Sequence, residues 1–197
     1  QRVEFATLDL ARRCGLNVTQ ARLEAVGESD VLMLQRFDRE YTDKGYLRFG
    51  LVSGLTVLDC GDSHLDRERW SYPLMADNLR RWSEKPKADC TELFRRMVFN
   101  AAVTNNDDHP RNHALLRRHN GWRLSPAYDL VPAPVVSLER RDLALTVGDY
   151  GRTASIYNLL SQAGRFGLSA EDARGQIDRL VDVVRHWRDA FFACGVS

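Results

Sequence analysis

Lysine is almost missing from this chain. Only three lysines, Lys44, Lys85 and Lys87, stand among 28 basic residues, so residues 1–43 contain none. Cysteine is sparse and dispersed. Cys14, Cys60, Cys90 and Cys194 form no C-x-x-C pair, which excludes zinc-ribbon spacing and argues against a secreted disulfide framework. Idle or buried thiols in a reducing compartment are the expectation. No apolar run approaches the ~18 residues that a membrane-spanning helix needs, and no signal peptide is visible. Charge of either sign is not in excess, since the net charge is +1. That argues against a general nucleic-acid or membrane-surface binder, and the basic residues are spread rather than clustered. Repeats and low-complexity tracts are absent.

What remains is an ordinary globular composition. The chain has 197 residues, 44% of them hydrophobic and 28% charged. That length can bury a sizeable core without disulfides or metals. The chain starts with Gln1 rather than Met and reads as a piece of a longer protein, so the lack of a leader says little about the parent.

The hydrophobic pattern predicts a helix over 3–13, "VEFATLDLARR", with Phe5, Leu8 and Ala11 on its apolar face and Gly15 as a left-handed stop. Residues 20–37 read as two antiparallel strands joined at "GESD". Residues 40–75 read as a long connection with short helices. A short helix is expected around 74–83 and "EKPKAD" as a loop. Asp89 is expected to cap the following helix, with Glu92 completing a capping-box pattern. That helix carries Leu93, Met97, Val98, Ala101 and Ala102 at core spacing. Two short strands, "HALLRR" and "WRLSPAYDLVP", flank an "HNG" turn. Pro126, Pro132 and Pro134 make 125–150 loop-rich. Ser169 with Asp172 caps a C-terminal helical region whose stripe is Ala173, Ile177, Leu180, Val181, Val184, Trp187 and Phe191.

The densest chemistry lies in "TNNDDHPRNHALL", residues 104–116. Three readings compete. Asn and Asp favour turns, so the stretch can be a capped loop and nothing more. Asp107, Asp108, His109 and His113 can form a hydrolytic metal site, His109 and His113 being four apart as on a zinc helix. Pro110 opposes a continuous helix there, and no H-E-x-x-H glutamate is present. The third reading is phosphoryl transfer. A kinase catalytic loop needs an Asp to orient the substrate hydroxyl, an Asn after four intervening residues as metal ligand, and a later Asp to hold Mg²⁺. Asp107 and Asn112 have that interval, and Asp129 in "SPAYDL" follows the expected hairpin. Carboxylate and amide oxygens suit Mg²⁺. Asp108 has the wrong interval and is read as ordering the loop. His109 would fix the loop backbone or approach the phosphates. Asn105, Asn106 and His113 are read as turn and packing residues, and so are Tyr128 and Trp122. Arg111 stays open between a surface arginine and a ligand for a phosphorylated residue.

"NNDDHPRNHALL" followed by "RLSPAYDLVP" resembles the C-terminal kinase region of the HipA family, the serine/threonine kinase toxins of bacterial toxin–antitoxin modules. "LDLARRCGLNV", "LMLQRFDRE" and "SAEDARGQIDRLVDVVRHW" resemble further stretches of that family, so the likeness covers most of the chain and is weakest at 40–88. It implies an α+β, mostly helical, protein-kinase-like C-lobe with a small antiparallel sheet from the hinge end of the N-lobe. Residues 1–38 would be the N-lobe remnant. Residues 39–197 would be the C-lobe, with a catalytic loop at 104–112 and a metal-binding loop at 125–132. It also implies ATP and Mg²⁺ as cofactors, with Asp107 as base and Asn112 and Asp129 as metal ligands. Gln35 and Phe37 would contact adenine, and His109 would lie near the phosphates. The expected partners are a protein substrate and a HipB-like DNA-binding antitoxin, in the cytoplasm, with no direct nucleic-acid or membrane contact.

Two kinase parts have no counterpart in this sequence, the Gly-rich lid and the strand lysine upstream of the hinge. Glu4 sits where the family would place that lysine's carboxylate partner. The expectation is that these parts precede Gln1 or come from a second polypeptide. The chain alone would then be weak or inactive, and a kinase-derived scaffold without catalysis is the alternative.

Overall fold

The computed structural model describes residues 1–118, 121–133 and 141–196. The expected "HNG" turn at 119–120 and the break at Pro134 lie outside the described residues.

The first helix, α1 (Arg2–Arg13), has Glu4 in its first turn and Arg12 and Arg13 in its last, the charge order that a helix dipole favours. Gly15 ends it at φ 75°, and the Leu16 amide returns to the Ala11 carbonyl at 3.0 Å. Ala6, Leu8, Leu10 and Ala11 are all buried. They are buried because α1 is packed on two sides. One side meets the hairpin β1 (Ala21–Val26) and β2 (Ser29–Leu34). The other meets the C-terminal helices α6 (Ala170–Val184) and α7 (Trp187–Ala193). The β1–β2 register pairs Val26 with Ser29, leaving Gly27 at φ 61° to lead a two-residue turn.

Residues 40–75 are more strand-rich than expected. They hold the hairpin β3 (Arg39–Thr42) and β4 (Gly45–Arg48), then β5 (Gly50–Ser53), the short helix α2 (Gly54–Leu58) and a 3-10 turn at His64–Arg69. The hairpin was hidden because its sides are mostly exposed, so no alternating apolar pattern was needed. The strand β5 pairs with β6 (Ala114–Arg118), which pairs with β7 (Gly121–Leu124), all antiparallel. The strand β7 stops at Leu124, and beyond it Ala127 makes only an isolated bridge to Val18.

Helix α3 (Tyr72–Trp82) is capped by the Ser71 hydroxyl. Helix α4 (Pro86–Val103) begins with Pro86 in its first turn after Lys85, so Asp89 does not cap it. Asp89 instead turns inward, where its carboxylate accepts from Arg123, the Leu124 amide and the Ser83 hydroxyl. Proline supplied the helix start by its fixed φ, which freed the aspartate for a buried role.

Leu93, Phe94, Met97 and Val98 on α4 are the centre of the core, with Phe94 edge-on to Phe166. Each such side chain contributes on the order of 1.5–3 kcal/mol on burial. Between Ser155 and Ala170 run α5 (Ile156–Ser161) and a 3-10 turn at Ala163–Phe166. Ser169 caps α6 through the Asp172 amide at 3.0 Å. The expected C-terminal stripe is split between α6 and α7. Ala173, Ile177, Leu180, Val184 and Phe191 are buried, while Val181 and Trp187 are each 40% exposed. Among the described residues no helix is long and apolar enough to cross a membrane.

Candidate active site

Helix α4 ends at Thr104, which takes a left-handed φ of 60°. That is a strained conformation for a β-branched residue. Side chains hold it. The buried Asn105 returns its amide to the Asn100 carbonyl at 2.9 Å and its side-chain nitrogen to Asn100 Oδ1 at 3.1 Å. The chain then exposes Asn106 and Asp107 to solvent and buries Asp108. The Asp107 carbonyl accepts from the His109 amide at 2.8 Å and from Asn112 Nδ2 at 3.4 Å. One 3-10 turn, Pro110–Asn112, follows, closed by the Asn112 amide on the His109 carbonyl at 2.9 Å. Residues 109–113 are therefore not α-helical, and His109 and His113 do not share a helix face.

Beneath this loop lies a row of buried polar groups. Asp108 is 1% exposed and His113 is 2% exposed. His113 Nε2 lies 2.8 Å from Asp108 Oδ2. The Tyr72 hydroxyl donates to the same oxygen, and Asn100 Nδ2 donates to the Tyr72 oxygen at 3.1 Å. Burial opposes charge on Asp108. The adjacent His113 imidazole, the Tyr72 hydroxyl and Arg96 outweigh it and hold the carboxyl below the usual range. Burial and the Asp108 charge push the Tyr72 phenol well up. These groups stay in place because each unmade bond would leave a buried donor or acceptor orphaned.

The second loop, residues 125–133, is stitched to the first at two points. The Tyr128 hydroxyl donates to the Arg111 carbonyl at 2.7 Å, and the Ala133 amide donates to the Thr104 carbonyl at 2.9 Å. Asp129, between them, is exposed and takes a left-handed φ of 57°, which aspartate tolerates better than most residues. Burial raises the Tyr128 phenol to about 12. The Arg96 guanidinium, 1% exposed, supports the base of this loop. It donates to the Ser125 carbonyl at 2.6 Å, to the Asn17 carbonyl at 3.3 Å and to Glu92 at 3.0 Å.

The charge of Asp129 is felt at Glu4 on α1. Burial first, and the Asp129 charge second, raise the Glu4 carboxyl above the ordinary value. Among the described residues Glu4 has no ion-pair partner, and neither does Asp129.

The strand exit after β2 reaches the same region. The Gln35 amide donates to the Gln20 carbonyl at 2.8 Å, and the Gln35 carbonyl accepts from Thr19 Oγ1 at 2.9 Å. The Phe37 ring packs against Tyr128, centroids 5.6 Å apart. A cavity of about 570 Å³ is bordered by Thr19, Gln35, Phe37, Arg39, Arg118 and Pro126. Asp107, Asn112 and Asp129 are not among its lining residues. The structure thus brings the two loops together and touches the segment after β2 to them through Phe37, while the cavity that Gln35 and Phe37 share is not lined by Asp107, Asn112 or Asp129.

Arg111 pairs with Asp62. His109 Nδ1 is buried without a partner. The sequence reading overlooked Tyr72, Asn100, Arg96 and Gly54. The last lies under the loop, where the Gly54 amide donates to the His113 carbonyl at 2.7 Å and an added Cβ would overlap the Pro110 carbonyl. No local pattern marks these four. Each acts on residues tens of positions away.

Residues 1–187 match the family model described as the HipA-like C-terminal domain. A putative kinase of Haemophilus influenzae is 29% identical over 136 residues, 65% of this chain and 40% of that protein. The serine/threonine-protein kinase toxin HipA of Shewanella oneidensis is 24% identical over 168 residues, 78% of this chain and 39% of the toxin. In the solved complex of Shewanella oneidensis HipA with HipB and operator DNA, the match covers 98% of this chain and 48% of that one. Its TM-score is 0.78 at 22% identity. A proinflammatory kinase of Helicobacter pylori matches over 98% of this chain and 86% of its own, with a TM-score of 0.58 at 12% identity. The chain spans about two fifths of the length of these curated relatives.

Proposed function

The chain belongs to the HipA-like C-terminal domain family, and on that footing we propose that it forms the C-lobe and hinge of an ATP- and Mg²⁺-dependent serine/threonine-protein kinase. In this reading residues 1–38 are the hinge end of the N-lobe and 39–197 the C-lobe. The observation that carries it is the two-point stitching of the Asp107–Asn112 loop to the Asp129 loop. A kinase needs those two loops side by side.

The residues present fit a hard cation. Asn112 spends its Nδ2 on the Asp107 carbonyl, which leaves Oδ1 for a metal. Asp129 is exposed and unpaired among the described residues. Oxygen donors of this kind are what Mg²⁺ takes. When bound, the ion would neutralise charge on the transferring phosphoryl group. Asp107 would align the substrate hydroxyl and accept its proton. Asn112 and Asp129 would hold the metal, His109 would lie near the phosphates, and the hinge around Gln35 and Phe37 would meet adenine. Glu4 would pair with a cation from elsewhere in the complete protein.

The protein substrate, a HipB-like antitoxin partner and a cytoplasmic setting complete the proposal. The relatives' own descriptions, a serine/threonine-protein kinase toxin and a HipA complex with HipB, support the first two.

The test is calorimetric titration of Mg²⁺-ATP into the chain and into Asp129→Asn. Binding that vanishes in the variant supports the reading, and equal binding in both overturns the metal role of Asp129. No binding by the chain, alone or joined to the residues encoded upstream of Gln1, favours the scaffold alternative.

A further inference from the structure

Tyr72, Asp108 and His113 have no role in the phosphoryl-transfer reading, yet all three are buried under the site, at most 2% exposed. Their order in sequence matters. Asp108 directly follows Asp107, and His113 directly follows Asn112. The Asp108–His113 bond, 2.8 Å between side chains five residues apart, therefore closes the loop one residue beyond each of the two groups proposed to do chemistry. Asp107 is exposed where Asp108 is buried, so the buried bond points inward while the functional carboxylate points outward. The closure is also anchored to the scaffold. Tyr72, at the start of α3, donates to Asp108 and accepts from Asn100 of α4. Gly54, at the start of α2, donates to the His113 carbonyl.

We infer that the Asp108–His113 bond, braced by Tyr72, is a clasp that sets the separation and orientation of Asp107 and Asn112. The three are positioning residues. The purpose assigned to the clasp rests on the kinase reading, but its existence as a loop-ordering device does not. Mg²⁺ demands near-ideal octahedral geometry, and a misplacement of ~1 Å at such a site can cost on the order of 100-fold in rate. The clasp adds a buried side-chain bond between the sequence neighbours of Asp107 and Asn112 to the other contacts that order this loop.

The side chain of His113 offers a sharp test, because only its Nε2 reaches Asp108 while Nδ1 has no partner. Glutamine places an amide nitrogen near the position of Nε2, and asparagine places one near Nδ1. Hydrogen exchange of the His109, Asn112 and Gly54 amides is measured in the parent chain, His113→Gln and His113→Asn. Mg²⁺-ATP titration and thermal unfolding are run on the same samples. In the expected result, His113→Gln keeps the parent's amide protection and nucleotide affinity. His113→Asn stays folded but exchanges those amides faster and binds Mg²⁺-ATP about 10-fold or more weakly, the size typical for groups that orient metal ligands. Equal exchange in the two variants overturns the clasp. If both variants unfold, Tyr72→Phe takes their place, since it removes one hydroxyl and keeps the ring. Unchanged exchange in Tyr72→Phe likewise overturns the clasp. Faster exchange in His113→Asn with no Mg²⁺-ATP binding by the parent leaves the clasp standing and bears only on the kinase reading.

Discussion

Residues 104–113 hold one 3-10 turn and no strand. Residues 21–48 are mostly strand, in two separate two-stranded hairpins. The irregular segment is nevertheless the better anchored of the two. Asn105, Asp108, Asn112 and His113 are buried and hydrogen-bonded to α3, α4 or their own loop. In the hairpins Val26 is 61% exposed, Met33 45%, Tyr41 76% and Tyr46 68%, and a lone hairpin gains little from such side chains. Regular hydrogen bonding is thus a poor guide to rigidity here. Order follows from where polar groups are buried with partners, and the site is built on that kind of order.

Four variants sharpen or break this contrast. Asp108→Ala should have the largest effect, a loss of about 3–5 kcal/mol in urea unfolding, because it strands the Tyr72 hydroxyl and His113 in the interior. A loss under about 1 kcal/mol would erase the distinction between the regions. Gly54→Ala should cost about 1–3 kcal/mol, since the new methyl meets the Pro110 carbonyl, a backbone atom that cannot step aside alone. Its thermal midpoint should fall, and the His109 and Asn112 amides should exchange faster. Glu4→Gln acts at the seam, on the helix between hairpin and loops. It removes a half-buried charge that feels the charge of Asp129, so the variant should melt at a slightly higher temperature at neutral pH than the parent. Tyr41→Ala with Tyr46→Ala should change stability least. These rings touch mainly each other, at 5.3 Å, and exposed sites of this kind shift stability by less than about 0.5 kcal/mol.

The sequence was most readable where a local rule decides the structure. Gly15, Gly27 and the Ser169 cap each act within a few residues, and α1, the β1–β2 hairpin and α6 formed as their patterns imply. It was least readable where a residue had two uses. Asp89 looked like a cap because its helical neighbours fit one, but Pro86 starts the helix and Asp89 meets Arg123, 34 residues on. The β3–β4 hairpin carried no buried stripe to betray it. At the candidate site, the spacing of Asp107, Asn112 and Asp129 was legible, and so was the separate standing of Asp108. The supports were not. Tyr72, Asn100, Arg96 and Gly54 are ordinary residues in ordinary segments until the fold sets them under the loop.

The two stitches between the loops have a mechanical consequence. A body fixed to another at two points keeps a single free motion, rotation about the line through them. Here that line runs from Thr104 to Arg111, at the two ends of the segment that carries Asp107. Further bonds at the base of the Asp129 loop, from Arg96 to Ser125 and between Ala127 and both Asn17 and Thr19, restrain that rotation as well. The two loops are therefore held as one piece.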